Sequence, residues 1–240
     1  MRTSRLYFEG VLAQNATVTL DRDSSHYLSN VLRMKIGSVV KLFNSDDGEF
    51  LGTIVTARKY SLAVTLTSKV SAVVEEPLKI HLAASISKGD RMDYLIQKSV
   101  ELGVSQITPI FSEFSEVKIK EKDRLEKKRL HWQRIARSSC EQCGRFFIPL
   151  VNPPIKFNEF VTNEEGLILL DPSGKGNLKS VKRSREFCLV TGPEGGFAPN
   201  EIKIAQKRGH VVKLGPRILR AETAPVVALA ILQSELGDLH

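Results

Sequence analysis

The sequence has few of the features that mark secreted or membrane proteins. It contains only three cysteines, Cys140, Cys143 and Cys188, and this small, odd number argues against a disulfide framework and favours a reducing compartment. No apolar run reaches the length of a membrane helix, and Met1–Gly10 lacks the apolar core of a signal peptide. We therefore expect a cytoplasmic protein that has no membrane partner.

Motifs for metals and dinucleotides are also missing. Cys140 and Cys143 have C-x-x-C spacing, but no second cysteine or histidine pair follows at the distance of a zinc finger. Both fall in a helical pattern, so we interpret them as packing residues and expect no metal site. The segment Gly192-Pro-Glu-Gly-Gly196 lacks both the G-x-G-x-x-G spacing and the Lys-Ser/Thr ending of a phosphate-binding loop. A nucleotide-dependent oxidoreductase is therefore a weak hypothesis.

Basic residues, in contrast, are in excess. Lysine and arginine together number 35 against 27 acidic residues, which gives a formal net charge of +8. Such a surplus favours a polyanionic partner, although many basic proteins bind no nucleic acid, so charge alone leaves both alternatives open. The chain has 240 residues, which is enough for one large domain or for two smaller ones with their own cores.

Residues 1–74 have the pattern of a small barrel-like β module. One helix is predicted over Asp21–Arg33, where apolar residues recur at helical spacing behind an acidic, serine-rich start. Glu75-Glu76-Pro77 breaks the pattern and marks the predicted domain boundary. Short segments rich in β-branched and aromatic residues predict strands at Arg5–Phe8, Thr17–Leu20, Val39–Phe43, Phe50–Ala57 and Leu62–Leu66.

After the boundary, apolar strands alternate with helices, which predicts a mostly parallel sheet covered on both faces. The predicted strands are Leu78–Ala84, Gln106–Phe111, Gly166–Leu170, Phe187–Thr191 and His210–Leu214. The predicted helices are Asp90–Leu102, Glu121–Gln142, Pro199–Lys207 and Ala224–Leu236. The last of these is apolar nearly all round and must be buried, either in the core or at a subunit interface.

Three glycine-bearing loops follow three of the predicted strands: Asp171–Gly176, Gly192–Gly196 and Gly215–Thr223. Ligands of open α/β sheets bind outside the carboxyl ends of the strands, and glycines there let backbone approach a ligand closely. Any one of these loops could be a plain turn, but the three together indicate a ligand site. Glu194 would repel a pyrophosphate, so a cationic or hydroxyl-rich ligand suits the site better.

The last two loops also carry a family resemblance. Thr191-Gly-Pro-Glu-Gly-Gly-Phe197 and Leu214-Gly-Pro-Arg-Ile-Leu-Arg-Ala-Glu-Thr-Ala224 resemble the C-terminal signature of the knotted SPOUT methyltransferases, and within them the ribosomal RNA small subunit methyltransferase E family. The resemblance covers essentially the whole chain, in order. Upstream motifs that agree with it are His26–Arg33, Lys88–Asp93, Gln97–Val104 and Glu141–Arg145.

The resemblance implies an α/β fold with two domains. Residues 1–74 would form a PUA-like, RNA-binding β-barrel domain, and residues 75–240 a SPOUT methyltransferase domain with a deep C-terminal trefoil knot. S-adenosylmethionine would bind in that knot, and the protein would be a homodimer. The implied product is 3-methyluridine in the 16S ribosomal RNA of the small ribosomal subunit.

These expectations extend to individual residues. The alternative is a non-catalytic RNA-binding or assembly protein, but such a protein would not need Gly195, Gly196 and Arg220, all of which are present. The candidate catalytic residues are Arg220, which would stabilise negative charge on the acceptor base, and Glu194, which would orient the cofactor or act as the base. Expected cofactor-binding residues are Leu170, Thr191, Gly192, Glu194, Gly195, Gly196, Leu214, Gly215, Ile218, Leu219 and Arg220. Expected RNA-binding residues are Arg2, Arg5, Arg33, Lys88, Arg91 and Arg145.

Overall fold

The computed structural model describes residues 3–58, 60–115 and 121–239. The chain divides into two compact units. The first consists of Met1–Glu75 together with Cys140–Phe147, and the second of Glu76–Ser139 together with Ile148–His240. The first unit therefore contains a short later segment that a single boundary near residue 75 leaves out.

The first unit is built on a five-stranded sheet whose strand order is β1-β3-β4-β5-β2. β1 pairs with β3 in parallel, and the other pairings are antiparallel. All five predicted strands are confirmed, and β5 runs five residues beyond its predicted end at Leu66. The strands are β1 (Ser4–Tyr7), β2 (Thr17–Thr19), β3 (Val39–Asn44), β4 (Gly48–Arg58) and β5 (Ser61–Ser71).

The predicted helix of the first unit is present but is not regular throughout. α1 (Arg22–His26) begins after Asp21, whose side chain accepts a hydrogen bond from the backbone N–H of Ser24. A π-helical turn then covers Tyr27–Val31. Arg33, just beyond it, has a φ of 53°, a conformation that ends a helix. The motif His26–Arg33 therefore forms a π-helical turn that ends at Arg33, rather than a continuous α-helix.

A buried ion pair lies at the centre of the first unit. The Nε of Arg5 donates to Glu49 Oε2 at 2.5 Å, and Lys41 Nζ donates to Glu49 Oε1 at 2.7 Å. The other nitrogens of Arg5 donate to the backbone carbonyls of Cys140, Gly144 and Arg145. The Arg5 guanidinium also lies over the Phe43 ring, 3.4 Å from its centroid. The Arg5 side chain thus connects β1, β3 and β4 to the segment Cys140–Phe147.

The second unit contains an eight-stranded sheet in which every described pairing is parallel. The strand order is β11-β13-β10-β12-β6-β7-β8, and β9 also pairs with β7. The strands are β6 (Lys79–Ser85), β7 (Gln106–Phe111), β8 (Leu150–Val151), β9 (Ile155–Lys156), β10 (Leu167–Leu170), β11 (Gly176–Asn177), β12 (Glu186–Thr191) and β13 (Gly209–Lys213). The helices are α2 (Arg91–Glu101), α3 (Lys122–Cys143), α4 (Phe157–Asn163), α5 (Pro199–Gln206) and α6 (Thr223–Leu236).

Both faces of the central strands are covered, as the unbroken apolar runs predicted. Every residue of β10 is buried, and Leu167 and Leu169 pack with Phe157, Phe160 and other residues in one core cluster. α6 packs against α2 and β12. The sequence patterns did not predict α4 or the short strands β8, β9 and β11. No helix in the described part of the chain is both long and apolar enough to cross a membrane.

Gln233 of α6 has a tightly enclosed position. Its Nε2 donates to the carbonyl of Leu102 at 3.1 Å. A Cβ on Gly103 would overlap that amide nitrogen, and a Cβ on Gly237 would overlap the amide oxygen. Gly103 also has a φ of 78°, which favours glycine. The amide therefore fits only because both neighbours are glycines.

The ion pair of Glu49 predicts how the first unit responds to acid. Burial alone raises the pKa of Glu49, but hydrogen bonds from Lys41 and Arg5 outweigh it and hold the pKa below its ordinary value of 4.5. A carboxyl whose folded pKa is lowered contributes stability above its unfolded pKa and loses it as pH falls through the folded pKa. We expect Glu49→Gln to destabilise this unit by about 2 kcal/mol near neutral pH, because Arg5 stays buried without its counter-charge.

Hydrogen exchange of the full chain, followed over β3–β5, measures this effect. Protection in the wild type should fall as pH drops below about 4.5, the ordinary value for the carboxyl. Glu49→Gln should start from lower protection and lose less of it. Glu9→Gln, at an exposed position of the same unit, is the control and should behave like the wild type. Equal protection of Glu49→Gln and wild type at neutral pH would contradict the assigned role.

Candidate functional site

A cavity of about 620 Å³ opens where β10, β12 and β13 end. β10 lies between the other two strands, so the loops that follow all three strands meet at one edge of the sheet. Both the position and the size fit a site for a small organic ligand. Its wall consists of Arg91, Leu170–Pro172, Gly192–Phe197, Lys213–Gly215, Arg217–Glu222 and Ala224.

The glycines of these loops serve different purposes. A Cβ on Gly195 would lie 2.9 Å from the Cβ of Phe114, and one on Gly192 would lie 3.0 Å from the Phe197 ring. The absence of a side chain at these two glycines therefore lets the loop backbone pack closely against Phe114 and Phe197. Gly196 and Gly215 have φ values of 72° and 97°, and no atom lies within 4 Å of the Cβ position of either. They allow left-handed turns that leave open space beside the backbone.

An ion pair lies on the wall of the cavity. Arg91 Nη1 of α2 donates to Glu194 Oε1 at 2.5 Å. The sequence patterns assigned Arg91 to RNA binding and Glu194 to the cofactor site, and the structure brings the two together. This hydrogen bond from Arg91 orients the Glu194 carboxylate and restricts its side-chain rotation.

Arg220 extends away from the loop that carries it. Its side chain is 82% exposed, and its guanidinium is 3.9 Å from Glu222 Oε1, which is too long for a strong hydrogen bond. Backbone hydrogen bonds from Thr223 and Ala224 to the Arg220 carbonyl hold the start of α6 in place. The exposed guanidinium of Arg220 can therefore contact an anionic group that binds at the entrance of the cavity.

Two buried oxygen atoms at this edge lack hydrogen-bond partners among the described residues. Glu222 Oε2 lines the cavity, and Thr191 Oγ1 lies at the end of β12, directly before the loop. A buried acceptor without a partner is costly, and a bound ligand with N–H or O–H groups would satisfy it. Glu222 is not among the predicted site residues although it lies in the motif Leu214–Ala224, because the motif does not show that its carboxylate is buried beside the cavity.

Most of the predicted cofactor residues lie on the cavity wall. Thr191 is the exception, since it is buried in β12 and does not reach the wall. The wall also contains Asp171, whose carboxylate accepts hydrogen bonds from the backbone N–H and the hydroxyl of Ser173 and so shapes the first loop. The predicted residues on the wall are Leu170, Gly192, Glu194, Gly195, Gly196, Leu214, Gly215, Ile218, Leu219 and Arg220.

The predicted RNA-binding residues differ in their surroundings. Arg2 lies outside the described residues. Arg5 has a side chain only 10% exposed and uses all three nitrogens inside the first unit, which argues against the predicted phosphate contact. Arg33 and Lys88 are exposed, and Arg145 is half-buried. The expectation that both C-x-x-C cysteines pack inside is half wrong, since Cys140 is buried but Cys143 is exposed.

Comparison with known proteins agrees with this architecture. Residues 74–233 match the RNA methyltransferase domain family, and residues 20–66 match the RNA methyltransferase PUA domain family. A ribosomal RNA small subunit methyltransferase E from Buchnera aphidicola subsp. Schizaphis graminum is 37% identical, with 99% of this chain and 98% of the relative aligned. One from Bacillus subtilis is 29% identical, with 92% and 93% aligned.

Two solved structures superimpose over the full length of both chains. A Legionella pneumophila protein in complex with the bound cofactor SAM has a TM-score of 0.94 and 39% identity. A ribosomal RNA small subunit methyltransferase E from Neisseria gonorrhoeae bound to S-adenosyl methionine has a TM-score of 0.90 and 34% identity. The sequence motifs, the mixed α/β fold with its PUA domain and these likenesses together establish that the chain belongs to the ribosomal RNA small subunit methyltransferase E family.

Proposed function

We propose that the protein transfers the methyl group of S-adenosylmethionine to N3 of a uridine in 16S ribosomal RNA and so forms 3-methyluridine. The observation that carries the proposal is the cavity at the three loops, with the buried, unpartnered Glu222 oxygen on its wall. Relatives solved with this cofactor support the choice of ligand. The ribosomal RNA target rests on the family.

The cavity suits the chemistry of this cofactor. S-adenosylmethionine supplies, when bound, a methyl group on a positively charged sulfur, and it also carries an amine and two ribose hydroxyls. Glu194 and Glu222 offer carboxylate oxygens to such groups, while the loop backbone after β12 and β13 can hold the adenine and ribose. The chain's main tasks are therefore to bind, orient and exclude water.

The acceptor nitrogen needs help from the protein. N3 of uracil carries a weakly acidic proton, and its lone pair becomes a good nucleophile only as that proton passes to a base, which would be Glu194 or a water molecule. A permanent cation near the base stabilises the developing uracil anion, and we assign this role to Arg220. Glu194, held by Arg91, orients the cofactor. The N3 edge takes part in base pairing, so the target uridine must be unpaired or turned out of its stack.

The first unit, residues 1–74 with their later segment, would hold the RNA as a PUA-like barrel domain. Arg33 is exposed on the turn that follows α1, where it can contact a phosphate. Arg145 of this unit and Lys88 of the second unit each stay a candidate RNA contact, but we leave out Arg5 because its buried ion pair occupies it. Such a protein would act in the cytoplasm, where bacterial ribosomal RNA is found.

Residues 75–240 would form the SPOUT domain with its trefoil knot. Strand order is compatible with this topology, because β12 and β13 flank β10 although they follow it in sequence. After β13 the chain returns, and α6 packs against α2, β12 and the 3-10 turn Leu178–Ser180. This return path is the one that would thread the C-terminal segment through the earlier loops.

We also propose a homodimer that packs through α6. One face of the helix is buried within its own chain, with Pro225, Ala228, Leu229 and Leu232. The opposite face contains Val226, Val227, Ala230 and Ile231, which remain partly exposed. Ile218, on the loop before α6, is 84% exposed. A second copy that covers these apolar side chains would remove them from water.

Incubation of the protein with labelled S-adenosylmethionine and small ribosomal subunits, followed by nucleoside analysis, tests the reaction. We expect label in 3-methyluridine. Arg220→Ala should bind the cofactor normally but lose at least about a hundredfold in rate, as for other preorganised charge-stabilising groups. Arg220→Lys should recover part of the rate, and Arg208→Ala, on another surface, should keep all of it. Label in another nucleoside would exclude the N3 assignment, and full activity of Arg220→Ala would remove Arg220 from the chemistry.

Replacement of Gly196 tests the cofactor site directly. Gly196→Leu places a side chain in the open space on the cavity wall, so calorimetry should show S-adenosylmethionine binding at least tenfold weaker, or about 1.4 kcal/mol. Gly37→Leu is the matched control, because Gly37 also has a positive φ and open space but lies in the first unit. It carries the same backbone strain and should leave cofactor affinity unchanged. Equal affinity of both variants would mean that the cavity is not the cofactor site.

The dimer makes opposite predictions for the two faces of α6. Ile231→Lys should give a folded monomer, because it places a charge in the proposed interface. Leu229→Lys should unfold the chain, since Leu229 is fully buried within it. Gln206→Lys, at an exposed position of α5 rather than α6, should stay dimeric. Light scattering after size exclusion measures the mass, and a monomeric wild type at assay concentration would disprove the dimer.

A further inference from the structure

A cluster of three metal-ligating side chains lies at the opposite edge of the second unit's sheet. His81 of β6 and Cys188 of β12 are paired residues on adjacent parallel strands, so their side chains point to the same face. Glu164 lies directly after α4 and reaches the same place. One donor atom from each residue lies within 4.8 Å of the others. We propose that His81, Glu164 and Cys188 form a binding site for a zinc ion.

The spacing of the donor atoms is close to that of a zinc site. Ligands on a tetrahedral zinc ion, at bond lengths of about 2.0–2.3 Å, lie roughly 3.3–3.6 Å from each other. His81 Nδ1 and Glu164 Oε1 are 3.7 Å apart. Small side-chain rotations would bring all three donors onto one ion without any movement of the strands.

The second nitrogen of His81 is held in the way that a metal-binding histidine requires. His81 Nε2 lies 2.8 Å from Thr108 Oγ1. That hydroxyl also accepts a hydrogen bond from Asn152 Nδ2 at 2.7 Å. When Nε2 donates to Thr108, Nδ1 carries the lone pair and faces the cluster. Such outer hydrogen bonds fix the ring orientation and tautomer of metal-ligating histidines.

The electrostatics of the cluster favour a cation at its centre. In this tautomer, a ring lone pair and a carboxylate oxygen face each other across 3.7 Å, an arrangement that only a proton or a cation between them makes favourable. A set of one sulfur, one nitrogen and one oxygen donor suits zinc rather than magnesium or calcium, which prefer oxygen ligands alone.

The cluster also has an open side. It lies on the wall of a second cavity, of about 850 Å³, which can supply a water molecule as the fourth ligand. Cys188 precedes Thr191 by three residues, so the site is about 10 Å from the start of the cofactor loop. A bound ion would link β6, β12 and the connection from α4 to β10. It would stabilise the central strands at their N-terminal ends, opposite the cofactor loops.

Metal titration of the full-length protein, first stripped with a chelator, tests the site. We expect one zinc ion per chain, measured by elemental analysis after dialysis. With Co²⁺ as the probe, a thiolate-to-cobalt charge-transfer band should appear. Cys188→Ser should lose the band and bind zinc at least tenfold more weakly. Cys143→Ser, which removes an exposed cysteine, should keep both.

The variant Thr108→Val tests whether zinc binds to all three proposed ligands or only to the Cys188 thiol. It leaves all three ligands in place but removes the hydroxyl that orients His81, so zinc affinity should fall roughly tenfold. Calorimetry with S-adenosylmethionine checks that each variant is folded, and this readout does not depend on the metal. If a variant fails to fold, the stoichiometry and cobalt spectrum of the wild type decide. No stoichiometric zinc in the wild type, or a cobalt spectrum without the thiolate band, would overturn the proposal.

Discussion

The arrangement of the second unit depends on a property of parallel sheets: all strands end at the same edge. Because β10 lies between β12 and β13, three loops that are far apart in sequence must meet there. None of the three could enclose a ligand alone. The position of the cavity is therefore a consequence of strand order. The glycines contribute by allowing the tight packing and left-handed turns that the loops need there.

The first unit depends on a different constraint, the need to satisfy a buried arginine. Arg5 has five N–H donors, and the structure provides four hydrogen bonds for them, one to a carboxylate and three to backbone carbonyls. The carbonyls belong to the end of α3 and the residues just after it. A short segment more than a hundred residues away in sequence thereby becomes part of the β unit.

Much of the fold could be predicted from the sequence, because its periodicities are strong. The strands of both units and the long helices lie close to their predicted positions, since apolar residues recur at regular spacing and glycines mark the helix ends. α4 was missed because its seven residues are too few to display a helical period. The π-helical turn at Tyr27–Val31 was also missed, because its composition does not differ from that of an α-helix.

The candidate site was predictable where a motif was dense, and not elsewhere. Gly192–Gly196 and the loop from Leu214 identified most of the cavity wall. Arg91 could not be assigned to the cavity, because its pairing with Glu194 joins α2 to a loop a hundred residues later. Glu222 lies within the motif, but the motif alone does not show that its carboxylate faces the cavity. His81, Glu164 and Cys188 are equally scattered, so no spacing rule could have found them.

The enclosed amide of Gln233 has a consequence for how this chain can vary in evolution. Its side chain fits between Gly103 and Gly237 only because neither has a Cβ. A side chain at Gly237 would displace the amide, and loss of the glutamine would leave the Leu102 carbonyl without its donor, whereas Gly103 is also fixed by its own positive φ. We therefore expect positions 233 and 237 to vary together and position 103 to remain glycine wherever this contact between the end of α2 and α6 is kept.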